Sequence, residues 1–506
     1  MLTFLTRRIA AGIATLVVAI FLMYLLVDLA IDPLADLVDS TAPNKAELIQ
    51  ARINLLHLDQ SVFVRFFTWA GHFITGDFGT AWKTGQEVGP LVGHAIGSTL
   101  QLVTAATVLS LVLGVAVGVV SALRQYSTFD YVIIFVSFLL YSLPSFWIAI
   151  LLKQWGAIGF NDFLADPVIA WPTIALFAVV SGLVWMIAVG GSRTRRIQTF
   201  AIAAVATFSA VAFVQLTDWW STPHFGPVLI GVTGLALAFA VSGLSAGFGN
   251  RKALYTAVTT VLVGLVLYYP MQALFDNVDE SNLLIAGLAV VAIGIGYLLG
   301  YLFRGPDWRV SSRVGAIVAF LVASMIYIDQ ILQVWPAYFR ALKGRPIPTF
   351  GDSTPNLGGN YWVQTLDSLT HLLLPTLTLI LVAFAAYTRY SRSSMLEVMS
   401  QDYIRTARAK GLNERTVVMR HGFRNTLIPL ATIVPIDIIT LIGGAVITEA
   451  VFARPGMGAL FVTSLQHAEI DPVMAYLVIT AALAIIANIV ADLVYAAVDP
   501  RIRLNP

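Results

Sequence analysis

The 506-residue chain has no cysteine. Disulfides, thiolate metal sites and thiol nucleophiles are thereby excluded. Charge is scarce too: Asp, Glu, Lys and Arg make up 11% of the residues, against about a quarter in a soluble domain. Hydrophobic residues make up 58%, and the mean hydropathy is +0.82. So few charged side chains cannot cover a soluble surface, and lipid must be the solvent for most of the chain. The net charge of +2 provides no basic field of the kind nucleic-acid binders carry, so no nucleic acid is expected as a partner. No GxxxxGK[ST] occurs, which removes that means of cradling ATP phosphates. HExxH is absent as well, and the seven histidines are scattered from His57 to His467. No metal site and no resident cofactor is expected. One GxSxG does occur, from Gly243 to Gly247. A nucleophile there requires a strand-turn-helix context or a neighbouring His. The motif ends a Gly- and Ala-rich run, so small-residue packing is the plainer reading, with an intramembrane enzyme at Ser245 as the alternative.

What the chain has is apolar runs. A run of about 20 residues crosses a bilayer. Twelve candidates lie at roughly 9–30, 98–122, 131–153, 168–190, 198–216, 226–246, 252–275, 282–304, 312–334, 367–388, 426–448 and 473–496. They define an all-α polytopic membrane protein. The distribution of Lys and Arg sets its orientation. Arg7 and Arg8 precede the first run, which is too long for the core of a cleaved signal peptide and is read as a retained helix within 1–30. Alternation then gathers Arg124, GSRTRRIQ at 191–198, GNRK at 249–252, FRGPDWRVSSR at 303–313 and DPRIR at 499–503 on the cytoplasmic side. The outer loops TDWWSTPHFG at 217–226 and FDNVDESN at 275–282 have neither Lys nor Arg. The stretch 335–366 is the exception, with Arg340, Lys343 and Arg345. A multi-pass protein of the cell membrane with both termini cytoplasmic is expected.

The segment 31–97 is less apolar and lies outside. Helical spacing in NKAELIQARINLL and the positions of Trp69 and Trp82 suggest short helices on the membrane face. Gly114 and Gly118 form a GxxxG, as do Gly296 and Gly300, and both predict close helix contact. Asp437 falls near the middle of the penultimate run, where a carboxylate is costly. It either lines a water-filled path, attracting cationic groups, or makes a hydrogen bond between helices.

One stretch is dense in charge. From Arg389 to Arg424 there are eight Lys or Arg residues (389, 392, 405, 408, 410, 415, 420 and 424) against Glu397, Asp402 and Glu414. By alternation it is cytoplasmic. Ser394 to Lys410 reads as one amphipathic helix whose less polar positions are Met395, Val398, Tyr403 and Ala407. Gly411 breaks it, and 413–424 reads as a second helix entering the next span. The stretch is either a basic loop that only fixes topology or a rigid protrusion able to dock into another protein.

SRSSMLEVMSQDYIRTARAKGLNERTVVMRHGFRNTLIP resembles the cytoplasmic loop of ABC-importer permeases of the dipeptide/oligopeptide group. Arg405-Thr406-Ala407 stands where the general motif has Glu-Ala-Ala, Gly411 follows after three residues, and Ile428-Pro429 stands for the distal part. The missing Glu is how the peptide subgroup departs from the general motif. Further matches are FLTRRIA at the start, Gly76-Asp77-Phe78-Gly79, YSLPSFW at 141–147, His371 to Pro375, GGAVITEAVFARPGMG at 443–458 and the tail at 499–503. The resemblance covers about 1–155 and 350–506.

It implies the type I ABC-importer transmembrane fold of six core helices, here with about six inserted helices. The expected division is 1–30, first helix; 31–97, outer segment; 98–155, core helices 2 and 3; 156–350, insertion; 351–506, core helices 4 to 6 with a coupling loop at 392–425. An even insertion is required to preserve the later topology. The resemblance also implies partners: a second permease, two ATPase subunits that bind ATP and Mg, and an extracytoplasmic solute-binding protein. This chain would not itself be an enzyme. ATPase docking falls to Gln401, Asp402, Tyr403, Arg405, Thr406, Ala407, Lys410, Gly411 and Leu412. The path falls to Pro144, Ser145, Asp437, Gly443 and Gly444, with Pro144 bending the third helix. An outer gate or binding-protein contact falls to Glu449, Phe452, Pro455, Gly456 and Gly458. Peptide is the expected cargo; a nickel complex, glutathione or another small solute is the alternative, and a secondary transporter the more distant one. The region 156–350 carries no recognised motif and reads as a lipid-facing scaffold or interface, or as a separate transport or sensing element.

Overall fold

The computed structural model describes residues 2–38, 41, 43–247, 249–278, 281–303 and 307–498, without the side chains of 2–5, 432, 439, 440, 442–444 and 491–498. The tail motif at 499–503 lies outside the described residues. Helix dominates. α1 (Leu2–Ala30) is followed by α2 (Ala35–Val38), α3 (Lys45–Leu56) and α4 (Val62–Ile74). A small antiparallel hairpin, β1 (Thr80–Ala81) and β2 (Gln86–Glu87), leads into α5 (Val88–Leu123). Next come α6 (Thr128–Ser142), α7 (Ser145–Leu151), a π-helical stretch at Leu152–Gly159, and α8 (Phe160–Ala165). Six long helices follow: α9 (Trp171–Val189), α10 (Arg193–Leu216), α11 (Gly226–Ser245), α12 (Arg251–Asn277), α13 (Asn282–Leu302) and α14 (Trp308–Gln333). α15 (Trp335–Ala341) precedes the 39-residue α16 (Tyr361–Met399). The chain ends with α17 (Asp402–Ala409), α18 (Glu414–Thr416), a π-helical stretch at Val417–Phe423, α19 (Arg424–Gly444), α20 (Val446–Val451), α21 (Met457–Gln466) and α22 (Ile470–Val498).

Among the described residues, ten helices are long and apolar enough to cross a membrane, and eleven spans result if the bent pair at 128–165 counts as one. The protein is therefore a multi-pass membrane protein. The expected count of twelve is not reproduced. α19, the remaining expected span, includes side chains outside the described set and is not among those counted. The run 131–153 is not one straight helix either: α6 stops at Ser142, Leu143 is extended, and the next helical segment departs at 99°. Proline has no N–H to donate and restricts the residue before it, so the chain turns at Leu143-Pro144.

Both GxxxG pairs bring helix backbones together. A Cβ at Gly118 would stand 2.5 Å from the Thr388 carbonyl, and one at Gly114 2.7 Å from the Tyr387 Cβ, so α5 lies directly on α16. A Cβ at Gly300 would stand 2.3 Å from the Ser312 Cα, which joins α13 to α14 in the same way. With lipid as solvent, such close packing replaces the hydrophobic effect as the source of helix association. The two ends of the six-helix stretch meet through Asn161 and Ile347: the Asn161 Nδ2 donates to the Ile347 carbonyl at 2.8 Å, and the Ile347 N–H returns to Oδ1 at 3.1 Å.

Within the segment 31–97, residues 35–74 form short helices as expected, whereas 88–97 belong to α5, which starts ten residues before the expected 98; both tryptophans of the segment are engaged by the protein. Trp69 packs at a tilt against Tyr24, Phe66 and Phe73. Trp82 donates to the Ala468 carbonyl at 3.1 Å and carries the Arg52 guanidinium 4.1 Å from its ring centre. A Cβ at Gly79 would overlap the Asp471 carboxylate, so the GDFG turn sits against the start of α22.

Candidate functional site

The basic stretch folds as a compact knob. The single helix expected from 394 to 410 is two: α16 ends at Met399, Gln401 is extended, and α17 starts at Asp402. Ile404 and Ala407, three residues apart on one face of α17, are buried against Val417, with Met399 alongside. The other face is open: Gln401, Asp402, Tyr403, Arg405, Thr406, Lys410, Gly411 and Leu412 are exposed. Of the nine residues assigned to docking, Ala407 alone turns inward, where its small side chain lets α17 settle on Val417.

Local bonds hold the knob's shape. The Thr406 hydroxyl donates to the Asp402 carbonyl at 2.9 Å, and Arg405 pairs with Asp402 at 3.3 Å. Gly411 has φ +74 and nothing within 4 Å of a Cβ added to it. Its glycine is thus required by backbone conformation and not by space. Across that turn Arg408 grips Glu414 with two hydrogen bonds, 2.6 and 3.1 Å. The guanidinium holds the Glu414 carboxyl below the usual carboxylate range. Asn413 caps α18 by accepting from the Thr416 N–H at 2.8 Å.

Two anchors tie the knob to α6, α16 and α19. Arg392 on α16 makes a double contact with Asp130 on α6, at 2.7 and 2.9 Å. Asp130 is 1% exposed and also accepts from Ser121 on α5 and from the Tyr126 N–H. On the other flank the Asn425 Nδ2 of α19 donates to the Tyr403 hydroxyl at 3.1 Å. A cleft of about 560 Å³ lined by Arg420, His421, Arg424 and Asn425 opens beside that junction.

The residues assigned to a path are dispersed over two regions. Pro144, exposed, and Ser145, half-buried, form the elbow between α6 and α7. Asp437 is half-buried on α19 and hydrogen-bonded to the buried Tyr387 hydroxyl of α16. Gly443 and Gly444 end α19, and their surroundings lie outside the described residues.

The third set, 449–458, forms a buried knot. Glu449 is fully buried and accepts from Thr99 at 2.7 Å and from the Gly458 and Ala459 N–H groups at 2.8 and 3.1 Å. It thereby supplies a carboxylate to the first turn of α21, where helix N–H groups lack partners. Gly456 and Gly458 are buried, and only glycine fits there: a Cβ would meet the Glu449 Cδ at 2.2 Å and the Val446 Cα at 2.6 Å respectively. Phe452 is 2% exposed, and its carbonyl accepts from the Gly351 N–H at 2.9 Å. Of these five residues, Pro455 is the exposed one. Arg454 is also buried; its Nη2 reaches Gln101 at 3.3 Å, with Asp352 and Glu449 as the nearby opposite charges.

The family described as binding-protein-dependent transport system inner membrane component matches residues 114–504. The chain belongs to this family. The chain is 26% identical to the oligopeptide transport system permease protein OppB of Mycobacterium tuberculosis H37Rv over 505 residues, all of both chains. It is 46% identical to AppB, the oligopeptide transport system permease protein of Bacillus subtilis 168, over 156 residues, 31% of this chain and 48% of that one. With the dipeptide transport system permease protein DppB of Escherichia coli K12 the identity is 40% over 138 residues, 27% of this chain and 41% of the relative. The mycobacterial alignment runs through the six helices at 171–333, so that region has a counterpart in the length of that relative.

Several residues that position this transport component's knob and knot gave no local signal. Asp130, 262 positions from Arg392, looks like an ordinary first-turn acid. Thr99 and Arg454 look like a span residue and a loop residue. A further missed residue lies outside the knob and the knot: Asp329 of α14 is buried and accepts from the Tyr268 hydroxyl at 2.6 Å. An acid inside an apolar run was the available signal for Asp329.

Proposed function

We propose that this chain is a permease subunit of an ATP-driven importer of di- and oligopeptides. The observation that carries this reading is the knob at 401–412: an exposed polar helix face held on a packed base and braced by the Arg392–Asp130 ion pair on one flank and the Tyr403–Asn425 hydrogen bond on the other. Family membership and the peptide permeases among its relatives support it. In this reading the cytoplasm is on the knob side, with both termini there. Core helices at 98–155 and 351–506, together with a second related permease, enclose the path, and 156–350 is inserted between them. Two ATPase subunits hold ATP and Mg, and a solute-binding protein delivers cargo from outside.

The geometry gives the knob a way to transmit motion. An ATPase cleft that takes the face formed by Arg405, Thr406 and Lys410 moves α17 as a body, because Ile404 and Ala407 fix it to Val417. The displacement passes through Arg392 and Asp130 to α16 and α6, and through Tyr403 and Asn425 to α19. ATP binding then biases one of two transmembrane arrangements, as alternating access requires. The knot around Glu449 fixes the outer hairpin, leaving Pro455 at its tip to face the binding protein.

The test is reconstitution of the chain with its natural partners in vesicles, with ATP hydrolysis and uptake of labelled peptides measured as loaded binding protein is added. Peptide-stimulated hydrolysis with uptake is expected. Stimulation by nickel and not by peptides would reassign the cargo. Uptake without ATP and without any retained ATPase would overturn the reading.

A further inference from the structure

The GLSAG sequence at 243–247 is not a nucleophile site in this fold; it is where the knob meets the six-helix stretch. Arg415, on α18 just beyond the Gly411 turn, donates through Nη2 to the carbonyls of Gly243 at 3.1 Å and Leu244 at 2.7 Å. These carbonyls belong to the last turn of α11. The N–H groups of Ala246 and Gly247 both go to Ser242, so the helix ends there and Gly243 is open to an outside donor. A cation at this end also complements the helix dipole. Gly247, at φ +78, makes room: a Cβ there would stand 2.2 Å from the Arg415 Nη1. A second arginine does the same for a second helix, since the Arg124 Nη1 reaches the Ala188 carbonyl in the last turn of α9 at 3.3 Å.

The other end of α11 is held by the opposite charge. The N–H groups of Phe225 and Gly226 both donate to the buried Asp329 carboxylate of α14, the latter at 3.1 Å. That carboxylate also takes the Tyr268 hydroxyl of α12 at 2.6 Å and the Gln333 amide at 3.3 Å. The 20 residues of α11 span about 30 Å, with an arginine of the knob at one end and a fixed acid of the six-helix stretch at the other. Between the ends, Gly234 packs closely on Val261 of α12, at 3.0 Å from an added Cβ.

We propose that α11 is a connecting rod and Arg415 its positioning residue: movement of the knob is passed through Arg415 to the six-helix unit, which moves with it and regulates coupling. The proposal rests on the reading of 401–412 as the ATPase docking surface. It assigns a working part to a region whose sequence carries no family motif, and explains why a glycine stands at 247.

Uptake and ATP hydrolysis measured together in the complete vesicle-reconstituted complex test it, using Arg415→Ala, Arg415→Lys, Gly247→Ala and the control Gly249→Ala, whose added Cβ meets nothing within 4 Å. ATPase subunits should be retained by every variant. Uptake per ATP should fall about threefold or more in Arg415→Ala and Gly247→Ala, recover partly in Arg415→Lys, which keeps a cation at the carbonyls, and stay unchanged in Gly249→Ala. Normal uptake per ATP in both Arg415→Ala and Gly247→Ala would overturn the rod while leaving the docking surface standing. Failure of the unaltered chain to retain ATPase subunits would overturn the docking surface and the rod with it.

Discussion

Arg392 and Asp130 meet as a two-bond ion pair, 2.7 and 2.9 Å, with the carboxylate 1% exposed and the arginine side chain 21% exposed. Three helices converge there, because Asp130 of α6 binds Arg392 of α16 and also accepts from Ser121 of α5. A pair so placed matters less for its net attraction than for what remains when it is broken. Arg392→Ala leaves a buried, uncompensated carboxylate and should cost about 3 kcal/mol, the lower end of the range for breaking such pairs. The double variant Arg392→Ala/Asp130→Ala should be more stable than Arg392→Ala alone. Thermal unfolding of the purified variants measures both. Equal stability of the single and double variants would show that the pair does not brace the knob.

Gly411 predicts a particular order of substitutions. Its φ of +74 is left-handed, and its surroundings are open. An added side chain therefore costs backbone strain of about 1–2 kcal/mol and no steric clash. Asn tolerates this conformation best, so Gly411→Asn should keep most ATP-coupled uptake. Gly411→Pro, whose ring locks φ near −65°, should uncouple hydrolysis from uptake while the chain still inserts. Equal activity of the two variants would mean that the turn does not shape the docking surface.

The Arg408–Glu414 pair sets a pH dependence. Its direction follows from the depressed Glu414 pKa: the contribution is present above the unfolded value near 4.3 and is lost as pH falls through the lower folded value. Coupling through this pair should not change between about pH 6 and 8, and the turn at 410–413 should loosen only in acid, below about pH 4. Glu414→Gln should loosen it modestly near neutral pH and remove the acid transition, since exposed pairs are weak and the pair is already lost in acid. Hydrogen exchange at Lys410 to Asn413 reads this out.

The knot at 449–458 is expected to tolerate change at its tip and not in its core. Gly458→Ala drives a Cβ to 2.6 Å from the Val446 Cα, and backbone cannot yield as a side chain can. The cost should be about 1–3 kcal/mol, visible as lost folded yield. Pro455→Ala, at an exposed position, should fold normally and reduce only binding-protein stimulation. Normal folding of Gly458→Ala would mean that the hairpin is looser than its glycine contacts indicate.

Asp437 distinguishes a lining role from a bracing one. Its bond to Tyr387 joins α19 to α16. If the carboxylate also faces cargo, Asp437→Asn lowers uptake of cationic peptides more than of neutral ones, whereas Tyr387→Phe affects both equally. Competition between Lys-containing and neutral dipeptides measures the ratio. An equal effect of Asp437→Asn on both classes leaves only the brace.

Apolar runs made the six helices between 171 and 333 readable to within a few residues. The run 226–246 became Gly226–Ser245, and 252–275 became Arg251–Asn277. Hydrophobicity records length but not direction, so the 99° elbow at Pro144 was visible only as a proline. The knob's location and its glycine turn were legible as local chemistry. The inward turn of Ala407 was not, because it depends on Val417 across the turn. The pairs Arg392–Asp130 and Arg415–Gly243 lie 262 and 172 positions apart, and nothing in either local sequence announces its partner. The outer motif at 443–458 was recognised as a unit, but its glycines serve burial around Glu449, and that required coordinates.

The absence of native cysteine allows a direct test of the central claim. A single cysteine at Thr406, on the open face of α17, can be given a short thiol-reactive cross-linker in the complete complex in vesicles. Cross-linking to an ATPase subunit, with yield changing when ATP is bound, is predicted, and a cysteine at Ser281 on the far side should give none. Absence of any cross-link from Thr406, in vesicles that still show ATP-driven uptake, would contradict it.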